Sequence, residues 1–379
     1  MKTISSILLF ICAGCFGSFA QSLDISQYFT PPPEFQGKFG DYRNVLQFYD
    51  GRQVKTTADW AERRKEIRER WMELMGEWPD VITDQQLEIL SSTKREDFTQ
   101  YKVRFKWLPN ESTEGYLLVP DDDVPGKNPT TGKRPAVISV FYEPETAIGQ
   151  GRDVPHFDFA YQLTKRGFVS LSIGTTEATK AKTYSLYYPS IEHAEVEPLS
   201  MLGYAGANAL EALAKRPEVD GSKIGIIGLS FGGKWSMFAS TLYDKFAAAV
   251  WSDPGIVFDE SRIAVNYWEP WYLGYHPKPW RKRALITGDN PAQGLYPELV
   301  KNGYDLHELH ALMAPRPFLV SGGSEDPPER WIPLNSTIAV NKLLGYDDRV
   351  GMTNRPTHRP DKEANDIAYA FFEKFLMKP

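Results

Sequence analysis

Apolar residues recur at helical spacing between Thr57 and Trp78. Trp60, Ile67, Trp71, Leu74, Met75 and Trp78 share one side, while Glu62, Arg63, Lys65, Glu66, Arg68 and Glu69 lie mostly on the other. That pattern predicts an amphipathic helix packed on the rim of a larger body, with Thr56 or Thr57 as its N-cap. Strand-like runs follow at Gln86–Ser91, Tyr101–Leu108 and Glu114–Val119, and they read as an antiparallel start to a sheet. Beyond them strand and helix patterns alternate. Strands are predicted at Ala136–Phe141, Phe168–Ile173, Ile224–Gly228, Phe246–Trp251, Pro317–Ser321 and Asp348–Met352. Helices are predicted at Phe157–Arg166, Leu199–Arg216, Gly233–Tyr243 and around Ala364–Phe375. The fold class is therefore α/β, a mainly parallel central sheet with helices on both faces and an N-terminal helical extension.

One strand–helix junction has a chemical signature. The apolar run Lys223–Ile227 leads into Gly228-Leu229-Ser230-Phe231-Gly232, and a helix pattern starts directly behind it. Glycines two residues either side of Ser230 leave room for a sharp turn that lifts the hydroxyl clear of the sheet. Ser230 is the candidate nucleophile. A serine hydroxyl needs a base to take its proton and an acid to orient that base, and behind such a junction the chain order is Ser, then Asp or Glu, then His. His358 lies between the last strand and the C-terminal helix and is the candidate base; His156, His193, His276, His307 and His310 fit that place less well. Asp326, just past the penultimate strand, is the expected acid, with Asp253 after the preceding strand as the alternative and Glu325 as a third choice. The expected oxyanion donors are the N–H of Phe231 and that of Tyr142, or of Glu143, after the strand ending at Phe141.

Residues 252–315 form a long insertion between two strands. It is rich in aromatic residues (Tyr267, Trp268, Trp271, Tyr272, Tyr275, Trp280, Tyr296), and Tyr184, Tyr187 and Tyr188 form a second group after Ile173. Both segments leave the carboxyl ends of strands, where open parallel sheets bind ligands. Flat rings there suit the apolar faces of sugars, and Trp268 and Trp271 are the candidate contacts.

The N-terminus changes the compartment rather than the fold. Lys2, the apolar stretch Ile7–Phe16 and Ser18-Phe19-Ala20 read as a signal peptide over residues 1–20, implying a secreted or periplasmic protein; lipoprotein anchoring through Cys12 or Cys15 is the alternative. Both of the chain's two cysteines lie in that segment, so disulfides, thiolate metal sites and cysteine catalysis are excluded from the rest. No metal-ligand spacing or phosphate-binding glycine loop is present, so no cofactor and no metal are expected. A net charge of −6 argues against nucleic acid as a partner. No later stretch is apolar enough for a transmembrane segment. The expected division is a signal peptide (1–20), an N-terminal extension packed on the core (21–110) and a catalytic domain (111–379).

These residues resemble the α/β-hydrolase superfamily, and within it bacterial carbohydrate esterases, above all glucuronoyl esterases and related pectin methylesterases. The resemblance rests on Gly228–Lys234, on Asp305–Leu309 running through Ala311–Pro317, and on Glu325-Asp326, with Asp253 matching members whose acid follows the earlier strand. It implies a Ser-His-Asp esterase acting on a polysaccharide or oligosaccharide ester, with Lys234 contacting sugar hydroxyls. Glucuronoyl esterases typically carry arginine directly after the nucleophile, and here that residue is Phe231. The departure favours a relative with a different leaving group, a methyl esterase of uronic acid residues in pectin. The alternatives are a glycan O-acetyl esterase (acetylxylan esterase-like), then a glucuronoyl esterase, a serine peptidase or an inactive binding module.

Overall fold

The computed structural model describes residues 23–377 except 177 and 179–181; the signal segment with Cys12 and Cys15 lies outside them. In chain order the strands are β1 (Glu88–Arg95), β2 (Phe98–Leu108), β3 (Glu111–Pro120), β4 (Arg134–Phe141), β5 (Val169–Gly174), β6 (Tyr188–Pro189), β7 (Ala194–Val196), β8 (Val219–Leu229), β9 (Ala248–Ser252), β10 (Phe318–Gly322) and β11 (Val350–Asn354). The α-helices are α1 (Thr57–Met75), α2 (Pro144–Ala147), α3 (Phe159–Lys165), α4 (Pro198–Ala214), α5 (Phe231–Leu242), α6 (Tyr296–Lys301), α7 (His307–Ala311), α8 (Trp331–Leu343) and α9 (Lys362–Phe372).

Nine strands form one sheet in the order β1-β2-β3-β5-β4-β8-β9-β10-β11, and β6 pairs only with β7. The pairs β1/β2, β2/β3 and β3/β5 are antiparallel; from β5 to β11 every pair is parallel. β4, β5, β9 and β10 are buried along their whole length, as strands covered on both faces must be. Alternate residues feed two cores. Ile138, Ile226, Trp251 and Val320 pack with α1, α4 and α5, whereas Val137, Ile227, Val250 and Leu319 pack with α3 and α9. This period of two fixes which helices lie on which face.

α1 begins with a capping box: Thr56 Oγ1 accepts from Asp59 N at 3.1 Å, and the Asp59 carboxylate accepts from Thr56 N at 2.9 Å. Its polar side holds one exception. Arg63 is fully buried, 3.3 Å from the equally buried Glu308 and 2.5 Å from Glu66. α8 is an addition to the predicted elements. Its face toward the core includes Pro333, Asn335, Ser336, Thr337 and Asn341, which break the apolar period that would reveal it. Among the described residues no helix is long and apolar enough to cross a membrane.

Candidate active site

β8 lies between β4 and β9 and delivers Ser230 to the carboxyl edge of the parallel strands. Ser230 has φ 76° and ψ −105°, a conformation that L side chains rarely adopt and that the surroundings must enforce. Its N–H donates to Ser252 O at 2.8 Å, and its carbonyl accepts from Lys234 N at 2.9 Å. A Cβ at Gly228 would overlap the Gly232 carbonyl, and one at Gly232 would overlap Val140 O. The turn is therefore closed against the end of β4, and only glycine fits at either position. α5 starts at Phe231, so its first N–H groups have no intrahelical partner and face the space beside Ser230.

His358 lies four residues past β11 and is half-buried, its side chain 36 % exposed. Its Nδ1 stands 2.7 Å from Asp253 Oδ2. The carboxylate beside the histidine is thus Asp253, the alternative, and not Asp326. Asp253 follows β9 directly with φ 48°. Its Oδ1 accepts from the backbone N–H groups of Gly323 (2.7 Å), Asp326 (2.9 Å) and Glu325 (3.1 Å). Asp326 is fully buried and points the other way, accepting from Gly255 N at 2.8 Å and Ile256 N at 2.6 Å. Each acid thus holds the other's loop. Burial, and then the charge of Asp253, push the Asp326 carboxyl up to about 7. The Glu325 side chain accepts from Ser324 Oγ at 2.9 Å instead of reaching the histidine. His307 and His310 are buried in α7, where burial drives them down to about 4 and about 3.

Phe231 is almost fully buried and stacks on Tyr142, with centroids 4.7 Å apart and planes 13° apart. From this stack a chain of ring contacts runs outward through Tyr184 (5.6 Å), Trp271 (6.0 Å), Trp280 (6.4 Å) and Tyr187 (5.9 Å). Trp271 is half-buried and Tyr184 exposed. Cations border the row: Arg152 lies 5.4 Å from the Tyr142 ring and Lys278 5.4 Å from Trp280.

Two expected substrate contacts are corrected. Trp268 is fully buried and donates from Nε1 to Ala284 O at 3.1 Å. Lys234 is 2 % exposed; its ammonium donates to Pro254 O and to Ala264 O (3.2 Å) and sits 4.7 Å from the Tyr267 ring. Burial pulls its pKa down to about 8. Lys234 therefore braces the start of the insertion from below. The insertion is also held by the buried pair Arg281–Glu269 at 2.7 Å. A cavity of about 540 Å³ lined by Tyr42, Phe258, Tyr304, Asp305 and Arg330 lies apart from this site and includes neither Ser230 nor His358.

The chain has the α/β-hydrolase fold. A glucuronoyl esterase of Solibacter usitatus superposes with a TM-score of 0.66 at 16 % identity, over 88 % of this chain and 97 % of that one. A family 15 carbohydrate esterase of Caldicellulosiruptor kristjansonii, a glucuronoyl esterase, gives 0.59 at 21 % identity, over 90 % of this chain and 92 % of that one. A Bacteroides fragilis protein, provisionally assigned as an acetyl xylan esterase, gives 0.54 at 17 % identity over 85 % and 86 %. The family model described as BAAT / acyl-CoA thioester hydrolase C terminal matches residues 205–270 of this chain, a span that includes Ser230 and Asp253 and stops short of His358. No curated protein matches the sequence.

Proposed function

We propose that this protein is a serine carboxylic-ester hydrolase acting on polysaccharide, working through Ser230, His358 and Asp253 with an acyl-enzyme intermediate. The observation that carries the proposal is the 2.7 Å contact of His358 Nδ1 with Asp253 Oδ2 at the strand edge where Ser230 is held at positive φ. Asp253 accepts a hydrogen bond from the Nδ1–H, which leaves Nε2 free as the base. Ser230 Oγ attacks the ester carbonyl while Nε2 takes its proton. The imidazolium then protonates the leaving alcohol, and water, activated by the same nitrogen, releases the acid. The oxyanion is met by the Phe231 N–H at the start of α5, with Tyr142 as the second donor.

The preferred substrate is an alkyl ester of a uronic acid, a methyl ester in pectin above all. The solved glucuronoyl esterases share the fold, and the cation Lys278 beside the aromatic row suits an anionic glycan, whereas Arg152 is paired with Glu143. Phe231 puts a buried apolar ring, stacked under the partly exposed Tyr142, where an arginine would bring a charge beside the serine. A glycan O-acetyl esterase is the second reading, favoured by the likeness to the Bacteroides fragilis structure. Secretion through residues 1–20 belongs to the same proposal.

The test offers the protein methyl-esterified galacturonan oligosaccharides, benzyl glucuronate and acetylated xylan side by side, with Ser230→Ala as control. Methanol release that Ser230→Ala lacks supports the uronate reading. Acetate without methanol replaces it by the deacetylase, and peptide or thioester cleavage alone overturns both.

A further inference from the structure

We infer that Arg355 is a positioning residue of the hydrolytic centre, clamping the His358 loop onto the ends of β9 and β10; the inference rests on the triad proposed above. Arg355 directly follows β11 and is 6 % exposed. Its backbone N–H donates to Gly322 O at 3.0 Å. Its guanidinium spans three segments. Nη1 donates to Ser321 O (2.7 Å), Ser321 Oγ (3.0 Å) and Gly322 O (3.2 Å) at the end of β10. Nη2 donates to His358 O (2.8 Å) and to Ser252 Oγ (3.2 Å), and Nε donates to Arg359 O (2.9 Å).

The acceptors are the informative part. Ser252 precedes Asp253, and its carbonyl receives the Ser230 N–H. Ser321 O also accepts the Asp253 N–H at 3.1 Å. One planar group is thus bonded to the histidine's own carbonyl, to the residue before the acid, and to the carbonyl that anchors the acid's backbone. The His358 loop lies outside the strand ladder, and these bonds tie it to the ends of β9 and β10 alongside the Nδ1–Oδ2 contact and the packing of Thr357 O on Gly323. Among the described residues no carboxylate lies within ion-pair distance of Arg355, and its acceptors are backbone carbonyl and serine hydroxyl oxygens. A buried cation held by neutral oxygens is costly, and shape alone would be filled more cheaply by an apolar side chain. A lysine has one donor centre and cannot reproduce the planar fork.

Arg134 supplies the internal control. It is equally buried and spends its guanidinium on Asp121 O, Val124 O, Pro125 O and Gly167 O, all remote from Ser230. Its loss should cost stability without touching chemistry.

The experiment compares wild type, Arg355→Lys, Arg355→Ala, Arg134→Lys and Ser230→Ala. It measures the rate of Ser230 labelling by a fluorophosphonate, and kcat and KM on a soluble uronate methyl ester, per folded molecule as read from thermal melts. Arg355→Lys should lose on the order of 100-fold in kcat and labelling rate with KM little changed, the scale expected of a small misplacement of the base. Added guanidinium should restore part of the activity of Arg355→Ala. Arg134→Lys should melt earlier yet turn over at the wild-type rate per folded molecule. The Arg355 inference alone is overturned if Arg355→Lys labels and turns over at the wild-type rates, or if Arg134→Lys loses as much. Wild type that labels no faster than Ser230→Ala overturns the triad reading, and the clamp with it.

Discussion

Asparagine at position 253 or at position 326 separates two carboxylates that look alike in sequence and differ in what they face. In Asp253→Asn the amide oxygen can still serve the N–H groups of Gly323, Glu325 and Asp326 that now meet Oδ1. The amide NH₂ then takes the place of Oδ2 and points at His358 Nδ1. Nδ1 must become an acceptor, the ring proton moves to Nε2, and the nitrogen that should take the serine proton is already occupied. A base held in the wrong tautomer lowers kcat by about 10⁴ in a serine triad, or about 5 kcal/mol at the barrier. In Asp326→Asn the amide can accept from Gly255 N or Ile256 N but not both. That loses one hydrogen bond, about 0.5–1.5 kcal/mol of stability where the raised carboxyl is neutral, and leaves the His358–Asp253 contact in place. Its kcat should fall by less than about tenfold, under 1.36 kcal/mol at the barrier. The assay is kcat on a soluble methyl ester, with Tm measured on the same preparations. Asp326→Asn losing more than Asp253→Asn, or Asp253→Asn keeping a tenth of wild-type kcat, would refute the geometry.

Asp326 also predicts a pH signature. Its carboxyl is raised to about 7 when folded and titrates near about 3.9 when unfolded, so the stability it contributes is complete below about pH 4 and is lost as pH rises through about 7. The Tm difference between wild type and Asp326→Asn should move against the wild type across that window; a flat difference from pH 4 to 8 contradicts the raised value. Lys234→Met should lower Tm, because Pro254 O and Ala264 O lose their donor at about 1–3 kcal/mol each, while KM for small esters holds. A raised KM at unchanged Tm would restore Lys234 as a sugar contact. Trp271→Ala should raise KM on esterified oligosaccharides by several-fold, the worth of about 0.5–1.5 kcal/mol of stacking, and leave a short chromogenic ester unaffected; equal effects on both would remove the ring from the glycan path. Gly323→Ala should cost most of the activity, because its Cβ would stand 2.7 Å from Asp253 Oδ2 and overlap Thr357 O. Full activity there would mean that the acid loop shifts freely.

Ser230 was legible because the constraint is local: glycines at 228 and 232, a buried strand before and a helix after define the turn without any distant residue. His358 was legible by elimination along the chain, since His307 and His310 carry the period of a helix and are buried in α7. The presence of β4, β5, β9 and β10 and their burial on both faces followed from continuous apolar runs, whereas the order of the strands in the sheet did not. The fate of Lys234 and Trp268 did not. Both depend on how the insertion folds back over α5, and that segment is fastened by backbone carbonyls, at Ala264, Ala284 and Pro254, which no residue pattern announces. Arg63 misled for a related reason. Its partner Glu308 lies 245 residues away, so a buried ion pair reads as two solvated charges.

The ambiguity of the acid has its own physical origin. β9 and β10 run parallel in register, Ser252 opposite Ser321, so both following loops leave the sheet at the same level and either could reach a histidine arriving from β11. The choice is made by what each loop lacks. Gly323 has no side chain where the Asp253 carboxylate passes toward Thr357 and His358. Asp253 turns back over β10 with φ 48°, and Asp326 turns away to hold the backbone of Gly255 and Ile256. Arg355 then fixes the histidine's carbonyl to the ends of both strands. The two acids thus exchange roles, one orienting the histidine while the other holds its loop. That division can be read from a bare glycine, a positive φ and a buried arginine, and from neither aspartate alone.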